Sequence, residues 1–305
     1  MTSRRLALFD LDHTLLPLDS DHQWAVYMAE SGRAGDPAEA LRRNEDLMNR
    51  YNAGDLTAEQ AAELIPVGAN VGMSGFTGAG YPKAVPQALA ARLAALHASG
   101  QTDARIGLWT GASTAPELDG ALAKAGGIEM RLPYQSDAAC RERINAGTMD
   151  YLDMHLSHTP QFVRFGFLGK LHVAVVEVAG IREDGSLIPS TSLGNNKTWL
   201  DQADKIILEV NSQQPLGIDG MHDIDYDSAL PPFRKPIPIV HAGDRIGQPY
   251  LQVDPDRVVA IVETHEPDRD TRFAAPDQDS ALIAQHILDF LGHEVKQGRL
   301  PPDLL

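Results

Sequence analysis

Along the chain, short apolar runs alternate with longer stretches in which apolar positions recur at helical spacing. Runs at residues 5–10, 70–74, 105–110, 128–132, 172–179, 205–211 and 257–263 are rich in Val, Ile, Leu and Ala, and they predict buried strands. Helical periodicity covers 21–31, 37–51, 58–65, 85–98, 116–125 and 279–296. Thr57 stands where an N-cap belongs, and Pro116 opens a first turn. Strands separated by helices predict an α/β fold, a mostly parallel sheet with helices on both faces. Ahead of it, one strand and two helices form a short βαα fragment that ends at Asn52-Ala53-Gly54-Asp55. Three elements enclose little core, so the chain divides into residues 1–56 and 57–305.

In sheets of this kind ligands bind at the carboxyl ends of the strands, where the loops after Met73, Trp109 and Leu132 converge. The first of these loops is glycine-rich: Gly72-Met73-Ser74-Gly75-Phe76-Thr77-Gly78-Ala79-Gly80-Tyr81-Pro82-Lys83. Gly75, Gly78 and Gly80 open backbone conformations closed to other residues and let N–H groups approach a ligand, where they can stabilise an oxyanion. The plainer role for the same glycines is a tight strand-to-helix turn.

Further stretches stand downstream of this loop: Leu108-Trp109-Thr110-Gly111-Ala112-Ser113-Thr114, Ser192-Leu193-Gly194-Asn195-Asn196-Lys197-Thr198-Trp199-Leu200 and Ala203-Asp204-Lys205-Ile206-Ile207-Leu208-Glu209-Val210-Asn211. Together they resemble class I CoA-transferases of the acetyl-CoA hydrolase/transferase branch, and within it the succinyl-CoA:acetate CoA-transferases, from residue 57 to 305. The resemblance implies acyl-CoA and small carboxylate substrates, with coenzyme A as a substrate and no tightly bound cofactor. It also implies acyl-glutamyl anhydride and glutamyl-CoA intermediates, each reached through an oxyanion. Gly75 and Gly78 would supply N–H groups to that oxyanion, with Ser74, Phe76, Thr77 and Gly80 lining the substrate.

Ser113 and Ser136 match positions that face the family's active site, although a Ser before a helix also serves as a cap. Arg269 matches an arginine near the cleft, or else pairs with Asp268 and Asp270 at the surface. Asn195 and Asn196 either bind substrate or cap a helix. In the family the nucleophilic glutamate lies in a C-terminal half, which has no match here; Glu294 does not fit the nucleophile motif. The implied partner is that other half, or a second copy of the chain.

Residues 4–56 carry a different pattern. Leu6-Ala7-Leu8-Phe9-Asp10-Leu11-Asp12-His13-Thr14 resembles the first motif of haloacid dehalogenase superfamily phosphatases. By that resemblance Asp10 attacks phosphorus, Asp12 is the general acid/base, and both help to hold Mg²⁺. Ile106-Gly107-Leu108-Trp109-Thr110 and Gly243-Asp244 have the form of later phosphatase motifs. A Mg²⁺-dependent phosphatase is therefore the alternative enzyme, and a non-catalytic half that assembles with a separate polypeptide is the third reading.

The formal net charge of −16 opposes nucleic acid and anionic membranes as partners. A single cysteine, Cys140, excludes an internal disulfide and suits a reducing cytoplasm; it lies in a helix-like surface pattern. His155 and His158 fall three apart on an expected helix with no further metal ligands beside them, and His222-Asp223 reads as a hydrogen-bonded loop.

Overall fold

A nine-residue strand, buried along its whole length, sits at the centre of the sheet. The structure, a computed structural model, describes residues 37–53, 56–73, 75–112, 115–224, 229–237, 239–269 and 274–304. The expected strand at 5–10 and helix at 21–31 lie outside the described residues. In chain order the elements are α1 (Pro37–Ala53), α2 (Ala58–Glu63), β1 (Asn70–Met73), α3 (Ala84–Ala98), β2 (Ile106–Trp109), α4 (Ala121–Lys124), β3 (Ile128–Leu132), α5 (Ala138–Asn145) and β4 (Asp150–Tyr151). They continue with α6 (Thr159–Arg164), β5 (Val173–Ile181), β6 (Leu187–Pro189), α7 (Asn196–Gln202), β7 (Lys205–Asn211), β8 (Val258–Thr264) and α8 (Gln278–Lys296).

The strand order is β4-β3-β2-β1-β5-β7-β8, all parallel, with β6 antiparallel on β5. Parallel strands need crossovers, and the helices that make them cover both faces of the sheet. Alternation along β5 shows why: Val173 and Val175 join a core with Ile65, Val85, Leu89 and Leu122, while Ala174, Val176 and Val178 join another with Leu47, Trp199 and Leu200. A strand buried on both faces reads as a continuous apolar run. That is how β5 was legible in the sequence.

One expected cap is present and one expected helix differs in form. Thr57 does cap α2, in a reciprocal capping box with Gln60. Residues 116–125 are not one α-helix: Pro116–Gly120 form a turn of π-helix that runs into α4. The wider turn carries Asp119 inward, where its carboxylate meets the guanidinium of Arg131 at 3.0 Å, both side chains fully buried. The α1 helix places Leu47 in the second core, and Arg50 donates to the carbonyl of Val258 at 2.8 Å.

Residues 270–305 form a separate compact unit. Its helix α8 begins at the N-cap Asp277, whose carboxylate accepts from the Ser280 N–H at 2.7 Å. Among the described residues no helix is long and apolar enough to cross a membrane.

Candidate active site

The glycine-rich loop leaves the carboxyl end of β1 and reverses at once. Phe76 and Ala79 exchange both backbone hydrogen bonds, at 3.0 and 3.1 Å, around Thr77 (φ 49°) and Gly78 (φ 90°). Positive φ at both central positions is the signature of a type I′ turn. Thr77 is the single non-glycine residue with positive φ among the described residues, and a β-branched side chain there is strained. Thr77→Asn is expected to raise stability by about 1 kcal/mol, read as a shift in the urea midpoint. Within the turn, the N–H groups of Gly75, Thr77 and Gly78 donate to no acceptor among the described residues.

Three other segments hold this turn. A Cβ on Gly111 would lie 2.8 Å from the Gly75 carbonyl oxygen and 3.2 Å from Gly194 Cα, so the loops after β1 and β2 and before α7 meet through glycines. Gly80 packs against Ser190 and Ser192, and the Ser192 hydroxyl donates to the Ala79 carbonyl at 2.8 Å. From the segment after β8, the Arg269 N–H donates to Gly78 O at 3.0 Å, and the Gly80 N–H donates to Asp268 Oδ1 at 3.2 Å.

Beneath the loop lies a polar cluster that the sequence patterns did not flag. Lys83, almost wholly buried, donates from Nζ to Glu177 Oε2 at 2.5 Å, to Asp268 Oδ1 at 3.0 Å and to the Tyr81 carbonyl at 3.0 Å. Glu177 and Glu209 are paired in register on β5 and β7. Glu209 accepts from the N–H groups of Lys83, Ala84 and Val85, closing the start of α3 as a cap would.

Burial pushes the Glu177 carboxyl up to about 7 against the pull of the Lys83 ammonium, and burial also raises Glu209. For Asp268 burial acts upward, but hydrogen bonds from Thr191 and Lys83 outweigh it and hold the group below the usual carboxylate range. The signal available beforehand was a glutamate inside each of two apolar strand runs, Val175-Val176-Glu177-Val178 and Ile207-Leu208-Glu209-Val210.

The expected site residues separate accordingly. Gly75, Phe76, Thr77, Gly78, Gly80 and Arg269 come together at the turn, with Phe76 and Thr77 exposed. Asn195 is buried, and its Nδ2 donates to the Thr110 carbonyl at 3.2 Å, so it ties two loops together. Ser136 is exposed, and the cap of α5 is its neighbour Asp137, whose carboxylate accepts from Ala139 and Cys140 N–H groups. Ser74 and Ser113 lie outside the described residues, as do Asp10 and Asp12.

Of the two later phosphatase-like fragments, Thr110 is buried with its hydroxyl donating to the Ala112 carbonyl, and Asp244 accepts from the N–H groups of Val240 and His241. Both are occupied in holding local turns. No cluster of three His, Cys, Asp or Glu suited to a metal occurs among the described residues.

Two smaller expectations are corrected. His155 and His158 are not on a helix: they occupy the turn that leads into α6, with rings edge to face at 5.4 Å. Cys140 is on a helix but fully buried, its thiol 3.6 Å from the Asp119 carbonyl oxygen, because it faces the core between exposed neighbours. Burial pushes that thiol up to about 12. In the folded protein the proton is held far above the ordinary thiol value of about 8.5. Stability from this group is therefore intact below that pH and falls as pH rises toward 12. Native protein at pH 8 is expected to resist iodoacetamide, with labelling appearing only in urea; rapid labelling of native protein would contradict the burial.

A family model describing the acetyl-CoA hydrolase/transferase N-terminal domain matches residues 40–263. The chain belongs to this family. The match begins within α1 and ends within β8, and so takes in the loops after β1 and β2 and before α7 that meet at the glycine turn, while Asp268 and Arg269 lie just beyond it. Among curated relatives, the Clostridium kluyveri succinyl-CoA:acetate CoA-transferase is 43% identical over 250 residues, covering 82% of this chain and 46% of the relative. The Escherichia coli propanoyl-CoA:succinate CoA transferase is 38% identical, covering 82% and 50%. The acetyl-CoA hydrolase of Saccharomyces cerevisiae is 39% identical, covering 81% and 48%. The chain thus spans about half the length of these family members. Of solved structures, RipA from Yersinia pestis shares the fold, with a TM-score of 0.55 at 18% identity over 80% of this chain and 50% of that one.

Proposed function

We propose that this chain is the acyl-binding half of an acyl-CoA:carboxylate CoA-transferase, acting on succinyl-CoA or acetyl-CoA with acetate or a similar small carboxylate. The observation that carries the reading is the I′ turn at the carboxyl end of β1, where three backbone N–H groups meet no acceptor among the described residues, inside a loop that three other segments hold. Donors fixed in place before reaction stabilise charge that develops during it, at no cost in reorganisation.

A glutamate carboxylate attacks the thioester carbon, and the C–S bond breaks to give CoA thiolate and a mixed anhydride. The thiolate then attacks the glutamyl carbonyl, releasing the first carboxylate and leaving glutamyl-CoA. The tetrahedral oxyanion of the acyl group falls to the Gly75, Thr77 and Gly78 N–H groups, the exposed Phe76 ring flanks the acyl chain, and Arg269 attracts the carboxylate. By the family resemblance, Ser74, Ser113 and Ser136 bind the substrate.

In this reading the nucleophilic glutamate belongs to the part of the family's length that this chain does not span. Glu209 is committed to the start of α3 and Glu177 to Lys83, while Glu294 is ion-paired with Arg299 at 2.6 Å. Water in place of the second carboxylate gives acetyl-CoA hydrolysis. The catalytic-family domain takes in α1 from about residue 40 onward, the residues before it are an appended phosphatase-like fragment, and the protein works in the cytoplasm.

The test joins the chain in frame to the second half of the C. kluyveri relative and follows acetate-dependent CoA release from succinyl-CoA. Gly78→Val, which cannot hold φ 90° beside Arg269 Cβ, is expected to lower turnover about 100-fold. Turnover indifferent to that substitution would count against the turn as the oxyanion site.

A further inference from the structure

Lys83 lies one residue before α3, and its ammonium is enclosed by Glu177, Asp268, the Tyr81 carbonyl and the face of the Tyr81 ring, 4.2 Å from the ring centroid. A lysine this deeply buried is uncommon, because the desolvation of its charge must be offset by partners. One carboxylate would suffice for that. The structure supplies two, on separate elements: Glu177 within β5, and Asp268 in the segment that crosses the glycine turn after β8.

The second partner is the informative one. Asp268 Oδ1 accepts both from Lys83 Nζ and from the Gly80 N–H, and its Oδ2 accepts from the Thr191 hydroxyl. The adjacent Arg269 N–H holds the Gly78 carbonyl. The same segment is fixed one step back, where Asn211 Nδ2 donates to the Glu266 carbonyl at 2.7 Å and to Glu177 Oε2 at 2.9 Å. A continuous chain of charge-assisted bonds therefore runs from the sheet, through Glu177, Lys83 and Asp268, to the backbone N–H of Gly80, and the neighbouring backbone bond from Arg269 extends the hold to Gly78.

We propose that Lys83 is a positioning residue: it anchors Asp268 against the sheet so that the 268–269 segment locks the glycine turn in the conformation that presents its N–H groups. The catalytic part of this statement rests on the CoA-transferase reading; the structural part does not. Lys83 touches none of the turn N–H groups itself and acts through Asp268. A mere counter-ion for Glu177 would leave the turn unaffected once Glu177 was neutralised. A positioning residue would not.

That difference sets the experiment. Lys83→Met and the double variant Lys83→Met/Glu177→Gln are compared with the wild-type 305-residue chain by thermal unfolding and by amide hydrogen exchange of the peptide containing residues 75–83. Lys83→Met alone strands a buried carboxylate and is expected to lower the melting point. The double variant removes that stranded charge and is expected to recover most of the melting point, yet to exchange in 75–80 about 10-fold faster than wild type or more. Wild-type protection of 75–80 in the double variant would overturn the proposal.

In the joined enzyme described above, the same double variant is expected to lose about 100-fold in kcat with KM for succinyl-CoA changed less than threefold. Altered exchange with unaltered kcat would leave the anchor standing and remove its catalytic role. Absence of turnover in the wild-type joined enzyme would count against the CoA-transferase reading, while the exchange result still decides the anchor.

Discussion

Gly80→Ala is expected to cost about 3 kcal/mol and to loosen the whole glycine turn. A Cβ on Gly80 would sit 2.5 Å from the backbone nitrogen of Ser192, 2.6 Å from its hydroxyl and 3.0 Å from the hydroxyl of Ser190, at a φ of 59° that an L-residue adopts at a cost. Neither contact relaxes cheaply. The nearest atom is backbone, and the Ser192 hydroxyl is tied to the Ala79 carbonyl. Overpacking of a closed site and an αL conformation each contribute about 1–3 kcal/mol. The urea midpoint measures the loss, and protease cleavage within 75–83 should appear well below the global transition. A change under about 1 kcal/mol would show that the Ser190–Ser192 segment yields, and that the turn is held less firmly than its geometry requires.

Arg131→Met is expected to be similarly severe, at about 3–5 kcal/mol, because it leaves Asp119 buried without its counter-ion. Arg131 meets Asp119 through Nε at 3.0 Å and Nη2 at 3.2 Å. It also donates to the carbonyls of Ala112 and Leu132, so one guanidinium joins the loops after β2 and β3. Replacing both charges, Arg131→Met with Asp119→Leu, should recover much of the stability, since well-packed apolar pairs often substitute for buried ion pairs. The bridge between the two loops would still be missing. Thermal unfolding of the single and double variants separates these contributions; equal losses in both would mean that the carbonyl contacts, and not the stranded charge, dominate.

The sheet was largely legible because its strands are buried on both faces. Continuous apolar runs located β1, β2, β3, β5, β7 and β8 within a residue or two of their ends. Two strands were missed for physical reasons. The β4 strand is two residues, Asp150–Tyr151, at the sheet edge, too short and polar to carry a pattern. The β6 strand is three residues, Leu187–Pro189, too short to carry a period, and it ends in a proline that has no N–H for a ladder. The π-helical turn at Pro116–Gly120 was read as ordinary helix, since periodicity over five residues does not separate the two.

At the site, glycines announced the turn, because positive φ at Gly75, Gly78 and Gly80 demands that residue type. The anchors beneath it were hidden. Glu177 and Glu209 become meaningful only when the register of β5 and β7 sets them side by side, and Asp268 only when a segment nearly two hundred residues from Gly80 (|i−j| = 188) returns to it. Asn195 offered a substrate contact or a helix cap; it stands at the N-cap of α7 without a side-chain capping bond, and its amide instead donates to the Thr110 carbonyl, a loop-to-loop tie that spacing does not reveal.

The central claim is that this chain supplies an oxyanion-binding turn but not the nucleophile. Acetate-dependent CoA release from succinyl-CoA, measured for the 305-residue chain alone beside the same chain joined to a family second half, tests it most directly. The account predicts release by the joined protein and none above buffer hydrolysis by the chain alone. Sustained turnover by the chain alone would contradict it and would place the nucleophile within these 305 residues.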